Sequence, residues 1–170
     1  MRIFLIGFMG SGKSYWGRQW APQLGYSFHD LDEVIEAEED QAVLDIFESK
    51  GEDYFRLKEA ELLRSLAQFD DCIISCGGGT ACFYDNLDWM NENGLTIYLS
   101  AAPQYLLEKI MNELDKRPLV KNFNEAEILF FIEKKLKERM PFYEKAKRTV
   151  EVAEIDDKTL RKISKAINKK

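Results

Sequence analysis

Apolar positions along this chain fall into two kinds of pattern. Ile3-Phe4-Leu5-Ile6, Cys72-Ile73-Ile74-Ser75 and Leu95-Thr96-Ile97-Tyr98-Leu99 are short, nearly continuous apolar runs, which suits parallel strands buried on both faces. Thr149-Val150-Glu151-Val152 is a weaker example, and a short strand around Tyr26-Ser27-Phe28-His29 completes five. Between them, helical spacing predicts helices over Lys13–Leu24, Asp32–Glu39, Val43–Lys50, Asp53–Gln68, Tyr84–Asn93, Pro103–Asn112, Glu125–Ala146 and Asp157–Lys169. Strand and helix alternate, so the expected architecture is α/β, with a five-stranded parallel sheet covered by helices on both faces. Two stretches break the rhythm. The helix pair over residues 32–68 has no strand of its own and reads as an insertion. Residues 112–124, polar and charged with Arg117-Pro118 inside, are long enough for a lid. No repeat or linker divides the chain, which reads as one domain over residues 1–170.

The totals narrow the classes of partner. In 170 residues, 24 Lys+Arg stand against 30 Asp+Glu, a formal charge of −6, which argues against generic attraction to nucleic acid or to an anionic membrane. An anionic ligand must then be captured by local groups. Cys72, Cys76 and Cys82 with a single histidine support neither a disulfide framework nor a zinc site, and read as reduced thiols. Arg2 and the apolar run after it imitate the start of a signal peptide but end in Gly-Ser-Gly-Lys without a cleavage pattern. No run approaches the roughly 18 apolar residues of a membrane span. A cytoplasmic monomer is expected.

Directly after the first strand stands Gly7-Phe8-Met9-Gly10-Ser11-Gly12-Lys13-Ser14, which matches the P-loop pattern at every specified position, with a buried strand before and a helix after. Glycines let backbone N–H groups converge on phosphate oxygens, and the following helix aims its positive end at them. Gly10, Ser11, Gly12 and Lys13 are thus candidate phosphate contacts, and the Ser14 hydroxyl a candidate Mg²⁺ ligand. The loop alone does not say whether phosphate is transferred, hydrolysed or only sensed.

Candidates for the acceptor side gather at the ends of the next two strands. Asp30 and Asp32, at i and i+2 after the second strand, could divide the work of ordering a metal's water shell and of meeting an attacking hydroxyl. A helix N-cap at Asp32 is an equal alternative. Gly77-Gly78-Gly79 follows the third strand; three glycines cost about 1 kcal/mol each in a regular element and make sense where backbone passes close to a ligand. Arg56, Arg117 and Arg139 could hold a carboxylate or approach a transferring phosphoryl group if they converge.

At this point the chain resembles the shikimate kinases. The resemblance rests on Gly7 to Ser14, Phe28-His29-Asp30-Leu31-Asp32, Gly51-Glu52-Asp53-Tyr54-Phe55-Arg56, Gly77-Gly78-Gly79, Arg117-Pro118-Leu119 and Arg139-Met140-Pro141-Phe142-Tyr143, in family order. It implies a P-loop NTPase-type three-layer sandwich of the nucleoside-monophosphate-kinase kind, and transfer of a phosphoryl group from ATP to the 3-hydroxyl of shikimate, giving ADP, with Mg²⁺. By position, Asp32 resembles the carboxylate at the reacting hydroxyl, Asp30 the one near Mg²⁺, Arg56 and Arg139 the grip on the shikimate carboxylate, with Gly78 and Gly79 beside them. Arg117 resembles the family's lid arginine, which with Lys13 would meet the phosphates. Two positions depart from the family: Tyr15 after Lys-Ser, and Ile110 where some members place an arginine against adenine, which leaves the base contacts open. A gluconate-type kinase of the same fold and a non-catalytic nucleotide-binding module are the alternatives. The Asp-x-Asp, Phe-Arg and Gly-Gly-Gly set argues against the first, and the presence of every expected catalytic group against the second.

Overall fold

A computed structural model describes residues 1–114 and 120–167. Its five strands, β1 (Arg2–Ile6), β2 (Ser27–Asp30), β3 (Cys72–Ser75), β4 (Leu95–Ser100) and β5 (Arg148–Glu151), form one parallel sheet in the order β2-β3-β1-β4-β5. The pattern of β1 explains why it is central. Ile3 and Leu5 enter the core on one face and Phe4 and Ile6 the core on the other, all at 0% exposure, and burial of each such side chain contributes roughly 1.5–3 kcal/mol.

One face is covered by α1 (Lys13–Leu24), through Trp20 and Ala21, and by α7 (Thr159–Ile167), through Ile163. The other carries α2 (Leu31–Glu39), α3 (Val43–Ser65), α4 (Asn86–Asn93), α5 (Pro103–Met111) and α6 (Glu125–Tyr143). The three-layer expectation is therefore met. The two helices expected over 43–68 are one element broken at Gly51, whose φ of 83° is open to glycine at little cost; a 3₁₀ turn at Leu66–Gln68 ends it. The fourth helix starts two residues later than the spacing predicts, because Tyr84 takes a φ of 49°.

Two topological facts position the site. The P-loop leaves β1 and the glycine run leaves β3, its neighbour, while chain connections to β2 and β4 depart to opposite sides; ligands bind at such a switch point, beyond the carboxyl ends of the strands. Register then aligns Asp30 with Ser75 and Ser75 with Leu5 across the same edge. Of the expected lid, Val120 is fully buried and Asn124 caps α6 in a capping box with Glu127. Arg117 lies outside the described residues.

Candidate active site

In the P-loop, Gly7, Gly10 and Gly12 all have φ between 81° and 144°, conformations that side chains resist. The loop can therefore curl over the N-terminus of α1. The Lys13 ammonium donates to the carbonyls of Gly7 and Phe8, both at 2.8 Å, across the loop. Ser14 Oγ donates to Asp30 Oδ2 at 2.5 Å and lies 3.1 Å from Ser75 Oγ. Gly10, Gly12, Lys13 and Ser14 line a pocket of about 580 Å³ to which Tyr105 and Lys109 of α5 also contribute. Ser11 differs from the others. Its N–H is turned to Phe8 O at 3.2 Å, and its hydroxyl, packed beneath the loop, has no hydrogen-bond partner among the described residues.

A second pocket of about 440 Å³ opens on the other side of the glycine run, between α2, α3 and α6. Arg56, Gly79 and Arg139 line it, with an apolar wall that includes Val43 and Phe47. Its polar end is tightly built. Arg56 donates to Glu59 Oε2 at 2.8 Å and to Glu52 Oε1 at 3.3 Å, and its guanidinium stands 4.3 Å from the Phe83 ring centre. Glu59, at 0% exposure, accepts a second bond from Thr80 Oγ1 at 2.6 Å. Arg139 sits over the Phe8 ring, and four residues further along the same helix Tyr143 donates from Oη to Gly78 O at 2.5 Å.

The three glycines are explained one at a time. A Cβ on Gly77 would stand 2.9 Å from Glu59 Oε1 and 3.2 Å from Asp32 Oδ1; on Gly78, 3.1 Å from Arg139 Nη1; on Gly79, 2.5 Å from Arg56 Nη2. The backbone thus threads between the charged groups, with no room for side chains. Burial pushes the thiol of Cys82 up, and Arg139 and Arg56, from the same cluster, oppose that rise.

Asp32 belongs to both pockets, as do Met9, Gly77 and Gly78. The capping role that competed for this residue falls instead on Asp30, whose Oδ1 accepts from Asp32 N at 3.1 Å. Burial, then the charges of Asp30 and Glu59, raise the Asp32 carboxyl from 3.8 to about 6, with Lys13 opposing. A carboxylate poised there is ionised at neutral pH yet basic enough to take a proton.

For a metal, the fit is to a hard cation with few protein ligands. Ser14, Asp30 and Ser75 offer oxygen donors beside the loop, and no group of three His, Cys, Asp or Glu among the described residues forms a cage. Mg²⁺, which keeps waters and binds through one or two side chains and substrate phosphates, suits that set.

Other residues noted in the sequence are held by packing. His29 stacks on Phe69 at 4.6 Å and meets Ser27. The cysteines are free, Cys72 and Cys76 buried. Ile110 is fully buried, and a Cβ on Gly10 would touch it at 3.5 Å, so it packs behind the phosphate loop. The pattern did not single out Glu59, Ser75, Thr80 or Tyr143. For Ser75 a signal existed: it ends a strand just before the glycine run. No helix among the described residues is long and apolar enough to cross a membrane.

Comparison with known proteins gives the family. The family model described as shikimate kinase matches residues 9–168. The shikimate kinase of Phocaeicola vulgatus is 41% identical over 92% of this chain and 90% of its own length, and that of Parabacteroides distasonis 38% identical over 99% and 98%. The crystal structure of shikimate kinase from Bacteroides thetaiotaomicron superposes with a TM-score of 0.93 at 34% identity, covering 99% of this chain and 98% of that one. The Acinetobacter baumannii enzyme, solved in complex with shikimate, gives 0.80 at 30% identity over 98% and 90%. A match across nearly the whole chain, in sequence and in fold, assigns it: the chain belongs to the shikimate kinase family.

Proposed function

We propose that this protein transfers the γ-phosphoryl group of ATP to the 3-hydroxyl of shikimate, releasing shikimate 3-phosphate and ADP. The observation that carries the proposal is the position of Asp32, where a pocket lined by the phosphate loop meets a pocket lined by two arginines. A donor in the first and a small anionic acceptor in the second bring their reacting ends together at that carboxylate. The complex of the Acinetobacter relative with shikimate supports the choice of acceptor.

In this reading Arg56 and Arg139 hold the shikimate carboxylate at one end of the pocket, with Gly78 and Gly79 leaving room for it. That fixes the ring so that one hydroxyl faces Asp32. Asp32 accepts the hydroxyl's proton as the new P–O bond forms, and a pKa near 6 suits the task. Lys13, whose ammonium lies at the loop carbonyls of Gly7 and Phe8, meets the outer phosphates together with the loop N–H groups of Gly10, Ser11 and Gly12. Ser14 and Asp30 would hold Mg²⁺, which when bound neutralises charge on the β- and γ-phosphates. Residues 112–124 act as the lid, with Arg117 meeting the transferring group, and residues 32–68 as the acceptor-binding insertion. In this reading the protein works as a monomer in the cytoplasm.

Coupled ADP release over a panel of hydroxy acids tests the proposal. ADP should form only with shikimate and Mg²⁺ together. Turnover with gluconate, or ATP binding without turnover on any acceptor, overturns it.

A further inference from the structure

We propose that Thr80 and Asn86 are positioning residues for the acceptor: with Glu59 and Arg64 they close a buried hydrogen-bonded circuit that fixes the glycine turn against α3 and sets where the Arg56 guanidinium stands. The inference rests on the acceptor reading of the second pocket.

The circuit can be followed bond by bond. Thr80 Oγ1 donates to Glu59 Oε1 on α3 at 2.6 Å. The Thr80 carbonyl accepts from Asn86 Nδ2, at the start of α4, at 3.0 Å. Asn86 Oδ1 accepts from Arg64 Nη1 at 2.8 Å, and the same nitrogen donates to Ala60 O at 2.9 Å, back on α3. Arg64 Nη2 then bonds Asp85, and its guanidinium lies 5.5 Å from the Trp89 ring centre. The path leaves α3 at Glu59 and returns to it at Ala60 and Arg64. Glu59, Thr80 and Asn86 are all at 0% exposure.

Such a buried polar ring is costly unless every member is bonded, and an apolar replacement of the same shape often stabilises as well. Stability alone therefore gives weak reason for it. Geometry gives a stronger one. Thr80 follows Gly79, whose Cα already approaches the Arg56 guanidinium so closely that a methyl group would overlap it. Glu59, the carboxylate that Thr80 holds, is the partner of Arg56 Nη1. Thr80 thus ties together the two groups against which Arg56 rests, the glycine turn on one side and Glu59 on the other. Asn86 and Arg64 fix Thr80 in turn. If the ring opens, Glu59 loses one of its two donors, and Arg56 shifts with it.

The test compares Thr80→Val, which keeps the shape and removes the hydroxyl, with Thr80→Ser, which keeps the hydroxyl. Steady-state ADP release is measured with shikimate and ATP varied separately. Loss of a buried hydrogen bond to a charged group predicts a rise in the shikimate KM of about tenfold or more for Thr80→Val. The ATP KM and kcat should stay within about threefold, and Thr80→Ser should restore the shikimate KM to within about threefold of the unaltered protein. A residue that only stabilises the fold would lower Tm without separating the two KM values. An unchanged shikimate KM in folded Thr80→Val, or a parallel rise in both, overturns the inference. Should Thr80→Val fail to fold, Arg64→Met decides by the same criterion: a selective rise in shikimate KM supports the circuit, and its absence refutes it. If the unaltered protein shows no shikimate-dependent ADP release, the functional reading fails instead. The circuit is then judged by hydrogen exchange at the Gly78 and Gly79 amides, which Thr80→Val speeds if the ring holds the turn and leaves unchanged if it does not.

Discussion

Replacing Gly79 by alanine isolates the fit between the glycine run and Arg56, the arginine proposed to hold the acceptor. Gly79 has φ −97° and ψ −14°, where alanine is at ease, so the substitution introduces no backbone strain. Its methyl carbon would lie 2.5 Å from Arg56 Nη2 and 2.8 Å from both Cζ and Nη1. Ordinary contact begins near 3.4 Å, so the guanidinium must retreat by about 0.9 Å, the difference between the two distances. It has little freedom to do so: Glu59 holds it at 2.8 Å, Phe83 faces it at 4.3 Å, and the side chain is only 10% exposed. A displacement of about 1 Å in a positioning group costs on the order of 10²-fold, so the shikimate KM should rise between about tenfold and a hundredfold. Overpacking should also remove about 1–2 kcal/mol of stability, read as a Tm lower by roughly 2–8 °C. Gly79 does not line the phosphate-loop pocket, so the ATP KM should stay put. The assay is ADP release with each substrate varied at saturating levels of the other. A shikimate KM within twofold of the unaltered protein, or an equal rise in the ATP KM, would refute the reasoning.

Three other outcomes follow from the same geometry. Arg139→Ala should raise the shikimate KM by 30-fold or more, since removing one partner of a desolvated charged contact costs about 2–5 kcal/mol; an unchanged KM in the same titration would remove Arg139 from the site. Ser14→Ala should raise the Mg²⁺ concentration needed for half-maximal rate at fixed ATP, because its hydroxyl sits on Asp30 beside the loop, and should leave the shikimate KM alone. Asp32 carries a stability signature without any ligand. Its folded pKa is raised from 3.8 to about 6, so the fold favours the protonated form. The associated stability is complete below about pH 3.8 and is lost as pH rises through about 6. The two-unit rise caps the effect at about 3 kcal/mol, and partial exposure cuts it to about 1–2. Asp32→Asn should therefore raise Tm at pH 7 by roughly 2–8 °C, with the gain shrinking as pH falls toward 4; thermal melts across that range would show a constant gain if the carboxyl were unperturbed.

The sequence made the frame of this site legible where local chemistry speaks alone. The β1 run could be read as doubly buried because both faces are apolar, and the phosphate loop because its glycines take backbone angles few other residues accept. The break at Gly51 was visible as a gap between two helical patterns. Glu59 was not visible. It stands in Lys58-Glu59-Ala60-Glu61, and Glu61, two residues on, is exposed; only packing against Arg56 and Thr80 separates them. Asp30 and Asp32 posed a similar problem, since either carboxylate can cap α2. The direct join of β2 to α2 settles it, because Asp30 ends the strand and its side chain falls back on the amide of Asp32. The buried, unpartnered hydroxyl of Ser11 was not legible in the loop pattern, which constrains only its backbone. Convergence of Arg56 and Arg139, 83 positions apart in the chain, needed the α3 and α6 placements that no local pattern encodes.

The central claim is that the two pockets meet at Asp32 and that this carboxylate takes the proton from the acceptor hydroxyl. Asp32→Asn keeps the shape and removes the base, and the measurement is kcat together with the dissociation constants of ATP and shikimate for the same variant. The account predicts a fall in kcat of about 10²–10⁴-fold with both dissociation constants within about threefold of the unaltered protein. A kcat within threefold of the original, or a loss explained wholly by weaker shikimate binding, would contradict it.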